Sequence, residues 1–152
     1  MKKTLSTAFA LLLLASAATA QDTYKETRNV TGFDEVSFCL AGEVYISLGQ
    51  GFKVVLEGDK DYLDEVETKV SGDELVIKRD RWVNFDNHKV IVRITMPALN
   101  GIDVSGSGKV IVNDPLKSEK FETDISGSGK IYLKDVTMGD VECSISGSGS
   151  FV

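Results

Sequence analysis

Over residues 101 to 152 apolar and polar side chains alternate with period two, and the alternation is broken at regular intervals by Ser-Gly-Ser-Gly. Three segments share the pattern: GIDVSGSGKVIVN at 101–113, ETDISGSGKIYLK at 122–134 and ECSISGSGSFV at 142–152. Their first glycines, Gly106, Gly127 and Gly147, lie 21 and 20 residues apart. A short period built from two strands around a glycine turn predicts the rung of a β-solenoid. The expected fold is therefore all-β, a right-handed parallel β-helix-like stack of ~20-residue rungs preceded by an irregular β N-terminal half. Alternation sends one set of side chains inward. The expected columns are Ile102, Thr123 and Cys143; Val104, Ile125 and Ile145; Val110, Ile131 and Phe151; Val112 and Leu133. Asp103, Asp124 and Ser144 face out, as do the apolar exceptions Ile111 and Tyr132. Successive antiparallel hairpins would bury the same residues, but stacking lets equivalent positions of all three copies lie above one another.

Gly106, Gly108, Gly127, Gly129, Gly147 and Gly149 read as structural repeat turns, where a Cβ would collide with the next rung. The competing reading is a stack of amides and hydroxyls binding an anion or a sugar; the structural reading is the simpler one. Lys109, Lys130 and Ser150 stand where a calcium repeat would need Asp, so calcium is disfavoured.

Residues 28–100 keep the strand texture without the glycine signature. Val36 to Leu40 and Val44 to Leu48 alternate, Phe52 to Leu56 follows Gly49-Gln50-Gly51, and Val66, Thr68 and Val70 run up to a hairpin-type turn at Ser71-Gly72-Asp73-Glu74. Asp59 to Glu65 predicts a single helical turn. Leu75 to Ile77 and Lys89 to Met96 are further strands, the latter stopped by Pro97.

The first twenty residues have the anatomy of a signal peptide: Lys2-Lys3, an apolar AFALLLLA run at 8–15, and Ala18-Thr19-Ala20 before Gln21. The run is too short to span a bilayer. Cleavage leaves 132 residues (21–152), expected to form a single domain, with a net charge of −8. Export to the periplasm, the cell surface or the medium is expected, with no transmembrane segment in the mature chain. That charge argues against nucleic acid as a partner. Two cysteines make no disulfide scaffold.

The segments Arg28 to Phe33, Gly42 to Ile46, Gly49-Gln50-Gly51, Leu75 to Ile77, Met96 to Leu99 and Gly101-Ile-Asp-Val-Ser-Gly-Ser-Gly108 together resemble the putative auto-transporter adhesin, head GIN domain family. The resemblance runs over roughly residues 28–152. It implies an exported, β-solenoid-like, adhesive protein, and no catalytic residues. Members of that family usually run several rungs further than Val152. The sequence thus reads as a truncated product, or else as one whose uncapped C-terminal rung associates end to end or through its edge with another copy.

Candidate chemistry is sparse. Arg79, Arg81, Trp82, Asn84, Phe85 and His88 make the strongest recognition cluster, since Trp stacks on sugars or anchors protein contacts while Arg and Asn direct hydrogen bonds. The plainer account has Trp82 and Phe85 cover an end of the core. His88 is the only histidine, and no nucleophile motif accompanies it, so a solvated loop residue is the favoured reading. Cys39 and Cys143 are expected as buried, unbonded thiols. The acidic run Asp59, Asp61, Asp64, Glu65 and Glu67 lacks calcium-loop spacing and reads as a solvated turn. No metal or other cofactor is expected.

The leading expectation is an exported, non-enzymatic surface module that presents rows of residues such as Lys109, Lys130, Ile111 and Tyr132 to a glycan or surface protein. A carbohydrate-acting enzyme using Asp103 and Asp124 is the alternative, and a structural envelope protein a third.

Overall fold

A computed structural model describes residues 23–79 and 88–152 of the chain. Thirteen strands and one short helix run in the order β1 (Tyr24–Arg28), β2 (Glu35–Phe38), β3 (Gly42–Leu48), β4 (Lys53–Gly58), α1 (Lys60–Asp64), β5 (Val66–Ser71), β6 (Glu74–Arg79), β7 (Val90–Met96), β8 (Gly101–Gly106), β9 (Lys109–Val112), β10 (Leu116–Gly127), β11 (Lys130–Leu133), β12 (Val136–Gly147) and β13 (Ser150–Phe151). They form a seven-stranded sheet A, ordered β1-β4-β7-β3-β9-β11-β13, and a six-stranded sheet B, ordered β12-β10-β8-β2-β6-β5. The inward residues of both sheets make one apolar cluster, with Phe38, Leu56, Leu75, Phe121 and Ile131 fully buried. Each such side chain contributes about 1.5–3 kcal/mol by leaving water.

The expected β-solenoid is overturned, and with it the parallel β-helix: both sheets are mixed. β1 pairs antiparallel with β4, β4 antiparallel with β7, and β5 antiparallel with β6. For β5 and β6 the reason is connection length. Gly72-Asp73 joins β5 to β6 as a tight hairpin, with Gly72 at φ 64°, and a hairpin reverses the chain, whereas parallel neighbours need a long crossover.

Within the mixed sheets the glycine-marked segments alternate between layers. β8, β10 and β12 lie parallel in sheet B with Val104, Ile125 and Ile145 in register. β9, β11 and β13 lie parallel in sheet A with Val110, Ile131 and Phe151 in register. The two strands of a segment thus belong to different sheets, and no hairpin forms within it. Thr123, in register with Ile102 and Cys143, is buried and donates its hydroxyl to Ile102 O at 2.7 Å, which accommodates a polar group in an apolar column.

The two glycines of each Ser-Gly-Ser-Gly turn meet different constraints. Gly106, Gly127 and Gly147 carry the positive φ of the corner, whereas Gly108, Gly129 and Gly149 do not. The second set faces the core side chains of the preceding layer. A Cβ would lie 2.5 Å from the Phe38 ring at Gly108 and 2.5 Å from Val104 Cγ1 at Gly129. At Gly149 it would run into Ile125 and stand 2.8 Å from Gly129 O. At Gly127 and Gly147 the obstacle is the backbone of the preceding turn, Gly106 O at 2.9 Å and Gly127 O at 2.5 Å; at Gly108, Gly129 and Gly149 it is first an inward apolar side chain, and at Gly106 nothing lies within 4 Å.

Burial of both cysteines is also corrected. The alternation that buries Val36, Phe38 and Leu40 turns Cys39 outward, beside the Ser37 hydroxyl. Cys143 occupies an inward position, but β12 borders sheet B, so Cys143 and Ile145 are exposed there. Both thiols are unbonded. The acidic run resolves into separate local roles: Asp59 caps α1 through Tyr62 N, Asp64 pairs with Lys60, and Glu67 with Lys69 and Lys78.

Candidate functional site

Arg81, Trp82, Asn84 and Phe85 lie outside the described residues. The two flanking members of that cluster converge on one buried side chain. The Arg79 guanidinium sits 5.4 Å from the Tyr62 ring, and His88 stacks on the same ring with centroids 5.5 Å apart. Tyr62, delivered by α1, thus brings Arg79 and His88 to one ring.

His88 also lines a groove of 850 Å³ along one margin of sheet A. The groove is walled by Ala41-Gly42-Glu43 at the start of β3, Glu57-Gly58-Asp59 at the end of β4, His88 to Ile91 leading into β7, and the turn residues Ser107, Gly108, Lys109, Ser128 and Lys130. Two of the three Ser-Gly-Ser-Gly turns thus border it.

Four of the turn amides are engaged between layers. Ser128 N donates to Gly106 O at 2.9 Å, Lys130 N to Gly108 O at 3.0 Å, Ser148 N to Gly127 O at 2.8 Å and Ser150 N to Gly129 O at 3.1 Å, so successive turns satisfy one another. The hydroxyls of Ser107 and Ser128, on exposed turns, remain on the groove wall. This pairing removes those four amides from any anion nest.

The groove opens onto the outer face of sheet A, where register places two lateral rows. One row runs Val55, Arg93, Tyr45, Ile111, Tyr132 across β4, β7, β3, β9 and β11. The next runs Lys25, Glu57, Ile91, Glu43, Lys109, Lys130. Interactions tie the rows together. Glu57 Oε1 accepts from Arg93 Nε at 2.9 Å and Lys25 Nζ at 3.2 Å, and Arg93 lies 5.1 Å from the Tyr45 ring. Tyr45 donates its hydroxyl to Glu43 Oε2 at 2.5 Å, Lys109 reaches Glu43 Oε1 at 3.4 Å, and the same ammonium lies 5.7 Å from the Tyr132 ring. The hydrogen bond from Tyr45, joined by Lys109, holds the Glu43 carboxyl below its ordinary range, and the same bond pushes the Tyr45 phenol up. Burial alone would raise Glu57, but Arg93 and Lys25 outweigh it and hold that carboxyl low. Both acids therefore stay ionised within a cationic and aromatic surface.

Sheet B presents the opposite charge. Glu74, Glu35, Asp103, Glu122, Asp124 and Glu142 occupy outward positions on neighbouring strands. Desolvation first, and then neighbouring carboxylates, push Glu35, Glu74 and Asp103 above the ordinary carboxyl range. Asp103 and Asp124, the pair considered for catalysis, sit side by side on exposed strand positions, with Asp124 N donating to Asp103 Oδ1 at 3.2 Å. Among the described residues no group of three or more His, Cys, Asp or Glu is arranged to hold a metal.

Lys109, Lys130, Ile111 and Tyr132 were legible as an outward row, whereas Lys25, Tyr45, Glu57 and Arg93 were missed as members of it. Their outward phase is readable from alternation. Their adjacency is not, because the order β4-β7-β3-β9 brings together strands far apart in sequence.

The family model described as "Putative auto-transporter adhesin, head GIN domain" matches residues 32–152. Among solved structures the fold is similar to a putative adhesin from Bacteroides fragilis, at 20% identity and TM-score 0.73, over 87% of this chain and 62% of that one. It is similar to a putative adhesin from Parabacteroides merdae at 18% identity and TM-score 0.76, over 87% and 56% of the two chains. A third, from Parabacteroides distasonis and described as a putative lipid binding protein, matches at 19% identity and TM-score 0.70, over 87% and 66%. The chain spans less than two thirds of the length of each of these. Among curated proteins none matches the sequence.

Proposed function

This chain belongs to the family described as "Putative auto-transporter adhesin, head GIN domain", and we propose that it is an exported, non-enzymatic binding module that uses the outer face of sheet A and the adjoining groove. The observation that carries the reading is the pair of in-register rows. Four adjacent strands, β7, β3, β9 and β11, hold Arg93, Tyr45, Lys109, Tyr132 and Lys130 on one face, at spacings set by the backbone ladder. A surface held by the ladder loses little conformational entropy on binding, which favours an extended ligand. No helix among the described residues is long and apolar enough to cross a membrane. Export rests on the signal-peptide pattern of residues 1–20. Arg79, Arg81, Trp82, Asn84, Phe85 and His88 are proposed to contribute to ligand recognition on the chemistry of their side chains.

A screen of purified residues 21–152 against glycans and extracellular proteins tests this. A reproducible ligand whose binding is weakened by Tyr45→Ala or Tyr132→Ala, with the melting transition retained, is the expected result. A ligand insensitive to both substitutions, or glycan turnover abolished by Asp103→Asn or Asp124→Asn, would count against it.

A further inference from the structure

We propose that the outer face of sheet A takes an acidic polysaccharide, one carrying uronate or sulfate groups. This inference rests on the binding-module reading and names the ligand class of the same face. Charge segregation is the first ground. The whole chain has a net charge of −6, yet the outward positions of sheet A hold Lys25, Lys53, Arg93, Lys109 and Lys130 against Glu43 and Glu57 alone. The outward face of sheet B is dominated by carboxylates. A negative polymer is therefore steered to one side of the molecule and repelled from the other.

The second ground is how that charge is held. Glu43 and Glu57 are occupied by Tyr45, Lys109, Arg93 and Lys25. Lys53 and Lys130 are exposed and make no ion pair among the described residues. Arg93 keeps 54% of its side chain exposed while one nitrogen is engaged. The cations are thus oriented but not neutralised.

Tyr45 and Tyr132 supply the third ground. They stand two strands apart, about 10 Å, in one row spanning about 20 Å, a spacing that suits a polymer better than a single small ion. The Tyr45 ring beside Arg93 and the hydroxyls of Ser47 and Thr95, and the Tyr132 ring beside Lys109, match the mixed apolar, hydroxyl and anionic character of acidic sugars. A lipid surface fits less well. The exposed large apolar side chains are Tyr24, on the edge strand β1, and Val136, Val141, Ile145 and Val152 on or beside β12 and β13; on the outer face of sheet A, Val55, Ile91 and Ile111 are half-buried among charged neighbours and offer little to insert into a bilayer.

Binding of residues 21–152 to heparin and to polygalacturonate, with dextran, phosphatidylglycerol vesicles and duplex DNA as comparators, tests the assignment. The expected result is binding to one or both acidic polysaccharides that weakens as salt rises. Lys53→Gln with Lys130→Gln should lower that affinity about tenfold, the upper end for two exposed charges, while Glu122→Gln with Asp124→Asn on sheet B leaves it unchanged. Dextran bound as tightly, with no effect of the lysine substitutions, would overturn the acidic assignment and leave the binding-module reading intact. Vesicles or DNA bound as tightly as either polysaccharide would overturn the choice of ligand. Failure to bind any polysaccharide overturns the inference, and the broader reading fails with it only if the glycan and protein screen is also blank.

Discussion

Gly106 and Gly127 are equivalent turn residues in adjacent layers, and an alanine at each separates two costs that sequence alone would merge. Both have positive φ, 100° and 93°, a region that disfavours any Cβ by about 1–2 kcal/mol. Their surroundings differ. A Cβ on Gly106 meets nothing within 4 Å, whereas one on Gly127 falls 2.9 Å from Gly106 O, a backbone atom that cannot swing aside. That carbonyl also accepts from Ser128 N at 2.9 Å, so pushing it away strains the bond linking the layers. Crowding of this kind adds about 1–3 kcal/mol. Gly106→Ala should therefore cost about 1–2 kcal/mol and Gly127→Ala about 2–5 kcal/mol. With the added crowding near its middle value, about 2 kcal/mol, and about 2–5 °C per kcal/mol for a chain of this size, the two melting temperatures should differ by about 4–10 °C. Urea unfolding followed by circular dichroism gives the same difference as a shift in midpoint at constant m. Equal losses would refute the claim that close approach between layers, rather than turn conformation, demands glycine at this corner.

Other outcomes follow from individual contacts. Glu35, Glu74 and Asp103 hold protons more tightly folded than unfolded, so stability should fall as pH rises from the ordinary carboxyl range through their raised values. Glu43 and Glu57 act in the opposite sense, losing their contribution only as pH falls through their lowered values, which places the stability maximum on the mildly acidic side. Glu74→Gln should raise neutral-pH stability and flatten the profile; thermal melts across pH in which wild type and variant stay parallel would contradict this. Thr123→Val removes the buried hydroxyl that meets Ile102 O and should cost about 1 kcal/mol, read by chemical denaturation. Asp114→Ala leaves Leu48 N without the carboxylate it meets at 2.8 Å, for a loss of about 1–3 kcal/mol by the same measurement. Cys39 and Cys143, both exposed, should react with a thiol reagent in the folded protein without a lag set by unfolding.

Local chemistry determined a good part of this protein. Period-two alternation is a property of the strand itself, so the inward sets Val104, Ile125, Ile145 and Val110, Ile131, Phe151, and the outward phase of Lys109, Ile111, Lys130 and Tyr132, could be read before any packing was known. The turn at Gly72-Asp73 and the single helical turn capped by Asp59 were readable for the same reason, since each depends on a few adjacent residues. Tertiary structure alone decided that the sheets are mixed, because strand direction depends on which distant partner a strand finds, and β4 finds β1 and β7. It also decided that Gly129 and Gly149 sit against Val104 and Ile125, since the distance between a turn and a core side chain is set by how the layers stack. Arg93 lies against Tyr45, and Lys25 shares Glu57 with it, through contacts across an order no local pattern encodes. The same pairing turned a chain of net negative charge into one with a cationic and an acidic face, since the sign of a surface follows from which strands become neighbours and not from the total.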